Sequence, residues 1–363
     1  MWKPSVEQIE RSQMFEFKEF INTRHGLNLD SYTDLHDWSV DNIHEFWAFA
    51  WEFFDIIHTQ PYTQVVDDVS KMPGAKWFTG ARLNFAENLL RRRDDKTALI
   101  FKGESQLVRK LTYAELYSEV AKTAAALRTA GVEKGDRVAG FVPNMPESII
   151  AMLATTSIGA IWSSSSPDFG IKGVLDRFSQ IEPKVLFAAN GYFYNGKFHD
   201  SLEKLKGILH DLPSVEKVVV IPYSDEDPDI CIISNSILFS DFIDNDEEEI
   251  EFEQLPFDHP LYIMYSSGTT GLPKSIVHGA GGTLLQHLKE LQLHCDLCEQ
   301  DTIFYFTTCG WMMWNWLVSS LVTGASLVLY DGAPFFPDAN AMWKMAEELG
   351  ITVFGTSAKF IAG

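Results

Sequence analysis

The sequence predicts an α/β fold of doubly wound, mainly parallel sheets, preceded by a helical, aromatic-rich N-terminal extension. Three observations carry that expectation. From residue 96 onward, short apolar runs rich in Val and Ile alternate with amphipathic stretches at the spacing of strand-helix-strand units. Apolar residues make up 46% of the 363 and charged residues 22%, which is enough to build a large core and unlike a disordered chain. The first 95 residues break the alternation and crowd Trp38, Phe46, Trp47, Phe49, Trp51, Phe53 and Phe54 into a short span. The length suits two units, set at 1–95 and 96–363 with a soft boundary near Asp95.

In the extension, Trp47, Trp51 and Phe54 share one helical face, and Ser39 is placed to cap that helix. Turn-forming residues from Lys71 to Gly80 lead to the apolar run Leu83 to Leu90 and the basic run Arg91 to Arg93. Beyond the boundary, Thr112-x-x-Glu115 reads as a capping box. It opens a helix with Leu116, Val120, Ala124 and Leu127 on one side, and Gly131 stops it. Arg137 to Val142 is then a strand. Asn144 caps and Pro146 starts a helix ended by Gly159, with a strand from Ala160 to Ser163. Two further helix-to-strand units follow: Val174 to Ile181 into Lys184 to Ala189, and Leu202 to His210 into Lys217 to Ile221. In such sheets ligands sit at the carboxyl ends of the strands.

Fifty acidic residues against 29 basic ones give a net charge of −21, which argues against binding a nucleic-acid backbone. Thirteen of the acids fall between Asp225 and Asp258, where there is no Lys or Arg, and the densest part, Asp244 to Glu253, reads as a solvated surface linker. Cys231, Cys295, Cys298 and Cys309, with no apolar leader and no Asn-x-Ser/Thr site, point to a reducing compartment and to the cytosol. Cys295-x-x-Cys298 has no second ligand pair at zinc-site spacing and reads as structural. Thr302 to Tyr330 carries no charge but is interrupted by Thr307, Thr308, Gly310, Asn315 and Gly324, so it reads as buried strand, loop, helix and strand and not as a membrane span.

The passage that carries chemistry begins with the buried strand Leu261 to Tyr265 and runs directly into SSGTTGLPK. Ser266, Ser267, Gly268, Thr269, Thr270, Gly271 and Lys274 combine hydroxyls, glycines and one ammonium in a loop whose backbone N-H groups can approach an anion. That is a phosphate-binding composition. It is not a Walker A loop, because Pro273 precedes Lys274 and the two glycines are too close together. His287, among Leu284, Leu285, Leu288 and Leu291, reads as a half-exposed structural residue, and neither it nor His278 is assigned to catalysis.

With these residues in view, the sequence resembles the acyl-adenylate-forming enzymes, whose phosphate loop is similar to SSGTTGLPK. LTYAEL at 111–116, SIGAIWSSSSPDFG at 157–170, TTCGW at 307–311 and FGTSAKF at 354–360 match in the family's order. YTDLHDWSV at 32–40 and WFTGARLNFAENLL at 77–90 resemble the extension of the short-chain acyl-CoA synthetase branch. Within it, SSSSPDFG and GWMMWNW resemble members that use acetoacetate more than those that use acetate.

The resemblance implies an adenylate-forming large domain and a two-step ligation. A carboxylate attacks the α-phosphate of ATP to give an acyl-adenylate and pyrophosphate, and the thiol of CoA then displaces AMP. It implies that the loop and Lys274 bind the leaving phosphates with Mg²⁺, that Trp311, Met312 and Met313 line the acyl pocket, and that Thr356 and Ser357 lie near the adenylate. It also implies that Ser166, Pro167, Asp168 and Lys197 lie along the CoA path, and a role in ketone-body and lipid metabolism. Absent from the sequence are a YGxTE-like motif with its Mg²⁺-binding Glu, the adenine and ribose segments, and the C-terminal small domain with its catalytic Lys. The resemblance implies that this Glu and this Lys lie beyond Gly363, so no catalytic residue is assigned within the chain. A truncated form unable to complete either half-reaction efficiently is therefore expected. An acetate or propionate ligase, or a noncatalytic product acting as a binding module, remains the alternative.

Overall fold

The computed structural model describes residues 3–104, 108–266 and 271–362. Gly363, the position past which the magnesium-binding Glu and the catalytic Lys are expected, lies outside the described residues. The extension is helical, with Gln13–His25, Tyr32–Asp41 and Ile43–Phe53 packed through aromatic edges: Phe17 is fully buried with its ring 5.6 Å from Phe46 and 5.1 Å from Phe53. Trp51 stacks on Phe78 at 4.9 Å, and Phe78 in turn meets Phe257 at 4.8 Å, so the extension is built onto the segment that leads into the phosphate strand. Ser39 does not cap the second aromatic helix. It still lies inside Tyr32–Asp41 and donates to the His36 carbonyl at 2.7 Å, and the next helix starts at Ile43 with no side-chain cap on Asn42. Asn84 ties the extension down: wholly buried, it donates from Nδ2 to the carbonyls of Thr156, Ser157 and Glu253 and accepts the Glu87 N-H.

Beyond the extension the described residues form two large sheets and shorter two-stranded ones. The larger has seven strands in the order Ser236–Leu238, Lys217–Ile221, Val185–Ala189, Arg137–Phe141, Ile161–Ser165, Pro260–Ser266, Lys274–Gly279, parallel throughout except for the last pair. The smaller runs Val353–Gly355, Thr302–Tyr305, Ser326–Asp331, Thr97–Gly103, Arg109–Thr112, with only the last pair antiparallel. Parallel strands demand cover on both faces. Tyr113–Thr129 and Pro146–Ser157 supply much of it, and one continuous apolar core joins both sheets and the extension. The expected box is present, with Thr112 and Glu115 exchanging hydrogen bonds at the start of Tyr113–Thr129. The uncharged stretch resolves into the strand Thr302–Tyr305, a loop, the helix Met312–Ser319 and the strand Ser326–Asp331. No described helix is long and apolar enough to cross a membrane.

One further local expectation is corrected. Pro146 occupies the first helical turn as expected, but the cap position belongs to Met145, which has no oxygen to offer; Asn144 lies one residue too early. The acidic segment is irregular with most of its acids in solvent, as expected of a surface linker, but it is also held down at several points. Ile250 is buried with its N-H on the Tyr117 hydroxyl, Arg93 and Lys134 pair with Glu249 and Glu253, and Arg128 holds the Glu251 carbonyl, leaving Asp246, Glu247 and Glu248 in solvent. The hairpin Gly191–Tyr194 and Lys197–Asp200 was not read from the sequence. Glu104 anchors its turn by accepting the N-H groups of Asn195 and Gly196.

Candidate functional site

In the seven-stranded sheet the chain steps from Arg137–Phe141 to its neighbour Ile161–Ser165, then crosses to the opposite neighbour Val185–Ala189. The strand order reverses there, and in sheets of this kind the ligand crevice lies beyond the carboxyl ends. Four segments meet at it. Ser163 Oγ donates to the Ile263 carbonyl at 2.9 Å, and Ser164 Oγ to the Cys309 carbonyl at 2.7 Å. Cys309 Sγ contacts the Pro143 carbonyl at 3.2 Å, and Trp314 Nε1 donates to Asn144 Oδ1 at 2.9 Å. The loop after Thr302–Tyr305 thus starts in the smaller sheet, where Phe306 N-H meets the Gly355 carbonyl, and ends against the larger one. This explains the runs of small polar residues: SSSS and TTCGW supply short hydroxyl and thiol contacts where longer side chains would hold the strand ends apart. Burial pushes the Cys309 thiol far up, so it serves as a neutral packing group. Among the described residues Asn144 Nδ2 and Ser165 Oγ, both buried at these strand ends, have no partner.

Ser266 ends the strand Pro260–Ser266, and Lys274 begins the antiparallel strand opposite it in register, so the two ends of the loop are held against each other. Gly271 has φ +96°, a conformation that favours glycine, while Ser267, Gly268, Thr269 and Thr270 lie outside the described residues. Lys274 is exposed and forms no ion pair among the described residues. Gln180, which the sequence reading missed, brackets it: Gln180 Nε2 donates to the Pro273 carbonyl at 2.9 Å and Ser275 Oγ donates to Gln180 Oε1 at 3.1 Å. Arg177, one turn earlier, lies over the rings of Phe169 and Tyr265 and adds positive charge beside the strand that feeds the loop.

Met312 and Met313 line a cleft of about 740 Å³ together with Trp77, Phe257, His278, Thr283, Gln286, His287 and Trp316. Trp311 is outside that lining, 66% exposed, at the cap position of the helix Met312–Ser319. Thr356 and Ser357 follow Val353–Gly355 at the carboxyl end of the smaller sheet, where Ser357 Oγ accepts the Phe360 N-H. Ser166 and Pro167 are buried just beyond Ile161–Ser165, and Asp168 is exposed. The lysine that reaches this turn is Lys204, which donates to the Pro167 carbonyl at 3.0 Å; Lys197 is exposed on the separate hairpin. His287 is more enclosed than expected, bonded to Ser319 Oγ at 2.7 Å, and burial lowers its pKa to about 4. All four cysteines are free thiols. Among the described residues no group of three or more His, Cys, Asp or Glu is placed to hold a metal ion.

A crevice at a strand-order reversal, flanked by a glycine- and hydroxyl-rich hairpin ending in lysine, defines a nucleotide-binding α/β protein. The chain belongs to the AMP-binding enzyme family, whose pattern matches residues 85–362, and residues 32–89 match the acetyl-coenzyme A synthetase N-terminus. It is 51% identical over 374 aligned residues to an acetoacetyl-CoA synthetase of Danio rerio, an alignment that covers all of this chain and 55% of that protein. It is 42% identical to the malonamoyl-CoA synthetase vrtB of Penicillium aethiopicum, covering all of this chain and 53% of the relative. The solved acetoacetyl-CoA synthetase from Streptomyces lividans superposes with a TM-score of 0.94 at 45% identity, over 99% of this chain and 56% of that one. The chain thus spans about half the length of the curated relatives it matches.

Proposed function

We propose that this chain serves the ATP-dependent activation of acetoacetate to acetoacetyl-CoA, with AMP and pyrophosphate released. The observation that carries the reading is the Ser266 to Lys274 hairpin, set beside the crevice in a chain aligned end to end with a synthetase of that activity at 51% identity. The acid carboxylate would displace pyrophosphate from the α-phosphate of ATP to form an acyl-adenylate, and the CoA thiol would then displace AMP. Ser266, Gly271 and Lys274, with Ser267, Gly268, Thr269 and Thr270, hold the β- and γ-phosphates in this scheme, where an ammonium and aligned N-H groups stabilise the charge gathering on the leaving pyrophosphate.

Met312 and Met313 receive the acyl chain, next in sequence to the exposed Trp311, which the lining does not include. Thr356 and Ser357 stand near the adenylate, and Ser166, Pro167, Asp168 and Lys197 along the CoA path. Mg²⁺ is the expected counter-ion of the ATP phosphates. A place in ketone-body and lipid metabolism, in the cytosol, fits the relatives' substrate. The malonamoyl relative supports a wider class, since acetoacetyl and malonamoyl groups both carry a carbonyl at C3. The reading is tested by acid-dependent ATP-pyrophosphate exchange. Exchange slower than that of a full-length relative, and greater with acetoacetate than with acetate, is expected; a chain that binds ATP but exchanges no faster with acetoacetate than with acetate would overturn it.

A further inference from the structure

The cleft that receives Met312 and Met313 has two unlike walls. Met312, Met313 and Trp316 from the helix Met312–Ser319, with Trp77 and Phe257, make one side apolar. The other side comes from the strand Lys274–Gly279 and the helix Ala280–Leu288, which contribute His278, Thr283 and Gln286. Gly282 lies between them, and a Cβ there would meet nothing within 4 Å, so the wall is recessed at that point.

Charge decides how an acid can enter. No lysine or arginine lines the cleft, while Asp258 and Glu290 do. Both are already paired, Asp258 with Lys76 at 2.9 Å and Glu290 with Lys289 at 3.1 Å, so the lining leaves no basic group for an acid, and the reacting carboxylate points out of the cleft while the rest of the acid points in. A polar wall facing a methionine wall suits a tail that is neither charged nor purely hydrocarbon.

The polar groups are not equally available. His287 is committed to Ser319 Oγ at 2.7 Å, and Gln286 Nε2 donates to Glu290 Oε1 at 3.0 Å. His278 has no hydrogen-bond partner among the described residues; its ring leans on Tyr262 at 5.0 Å and it is half-buried. Burial holds its pKa below the ordinary histidine value, so near neutral pH the ring is uncharged and offers one N-H. Thr283 is buried in the wall beside Tyr262, and its hydroxyl can donate one hydrogen bond, either to the Tyr262 oxygen or to a group in the cleft.

We propose that His278 and Thr283 are specificity-determining residues that donate hydrogen bonds to a carbonyl oxygen at C3 of the acid, selecting 3-oxo acids over unsubstituted acids of equal length. This rests on the acid-activating reading above. Acetoacetate has no polar atom other than its carboxylate and that oxygen, so a donor pair opposite the methionines has one group to find. A site built to satisfy a substrate oxygen also rejects the analogue that lacks it, because the buried donors are then left unpaired.

The test titrates the full chain, in the presence of ATP, with acetoacetate and with butanoate, followed by saturation-transfer NMR, which needs no turnover. Acetoacetate is expected to bind about 10-fold tighter than butanoate, as one or two neutral hydrogen bonds would give. Thr283→Val and His278→Phe should each cut that preference about 3-fold or more and leave butanoate affinity within about 2-fold, while Thr283→Ser should retain it. Unchanged melting temperatures separate this from misfolding. Equal loss of affinity for both acids, or no preference in the parent chain, overturns the assignment of His278 and Thr283 while leaving acid activation standing. If ATP binds and neither acid does, the acid-activating reading fails and the inference falls with it.

Discussion

Replacing Asp331 by Asn should stabilise the chain at neutral pH, against the usual cost of altering a hydrogen-bonded residue. Asp331 ends the strand Ser326–Asp331 with its carboxylate on the Tyr223 hydroxyl at 2.9 Å. Burial, with the nearby charges of Glu104 and Asp168, raises its pKa from 3.8 to about 6. A carboxyl whose folded pKa lies above its unfolded value binds more protons when folded, so its contribution to stability is greatest below pH 4 and falls as pH rises to about 6. A shift of that size corresponds to at most about 3 kcal/mol, and the residue's partial solvent access reduces the expectation to about 1–2 kcal/mol. Asn retains an oxygen for the Tyr223 hydroxyl and carries no charge. In urea unfolding followed by tryptophan fluorescence, the variant should exceed the parent by about 1–2 kcal/mol near pH 7.5, and the gap should narrow by about 1 kcal/mol near pH 5. A variant less stable at pH 7.5, or a gap independent of pH, would refute this.

His287 should act in the opposite sense. Its folded pKa is depressed to about 4, so stability is lost as pH falls below the ordinary histidine range, by about 2 kcal/mol between pH 7 and pH 5. His287→Gln should lose that slope in the same unfolding assay, which shows why the two slopes partly cancel in the parent. Asn84→Ala removes the partner of three carbonyls and a helix cap at a wholly buried site, and should cost about 3 kcal/mol, read as a lower urea midpoint. Gln180→Ala should weaken ATP binding about 3-fold by freeing the Pro273 carbonyl and the Ser275 hydroxyl on either side of Lys274, with little change in melting temperature, because its three side-chain bonds are all exposed.

The sequence was most readable where the signal is local. The Thr112 to Glu115 box, the alternation of strands and helices, and the strand into SSGTTGLPK depend on neighbours a few residues apart, and each element is found close to its expected place. What could not be read depends on partners far along the chain. Asn144 looked like a cap because Pro146 follows, yet its oxygen belongs to Trp314, 170 residues away. The acidic run looked solvated because its charge is dense, yet Tyr117 and Arg93, more than 100 residues earlier, hold its middle. Gln180 and Glu104 carry no motif. Each acts by accepting or donating to backbone that only the fold brings near, and the spacing of residues gives no sign of it. His278 and Thr283 were visible only as a histidine and a threonine near a leucine stripe until the cleft gave them a common wall.

The central claim is that the hairpin from Ser266 to Lys274 holds the phosphates of ATP, and calorimetric titration of the chain with ATP and with pyrophosphate tests it most directly. The parent should bind both, and Lys274→Ala should lose about 10-fold or more in affinity for each, as removal of a charge-assisted contact implies, with its melting temperature unchanged because Lys274 is exposed. A parent chain that binds neither ligand, or a Lys274→Ala variant that binds both as tightly as the parent, would contradict the account.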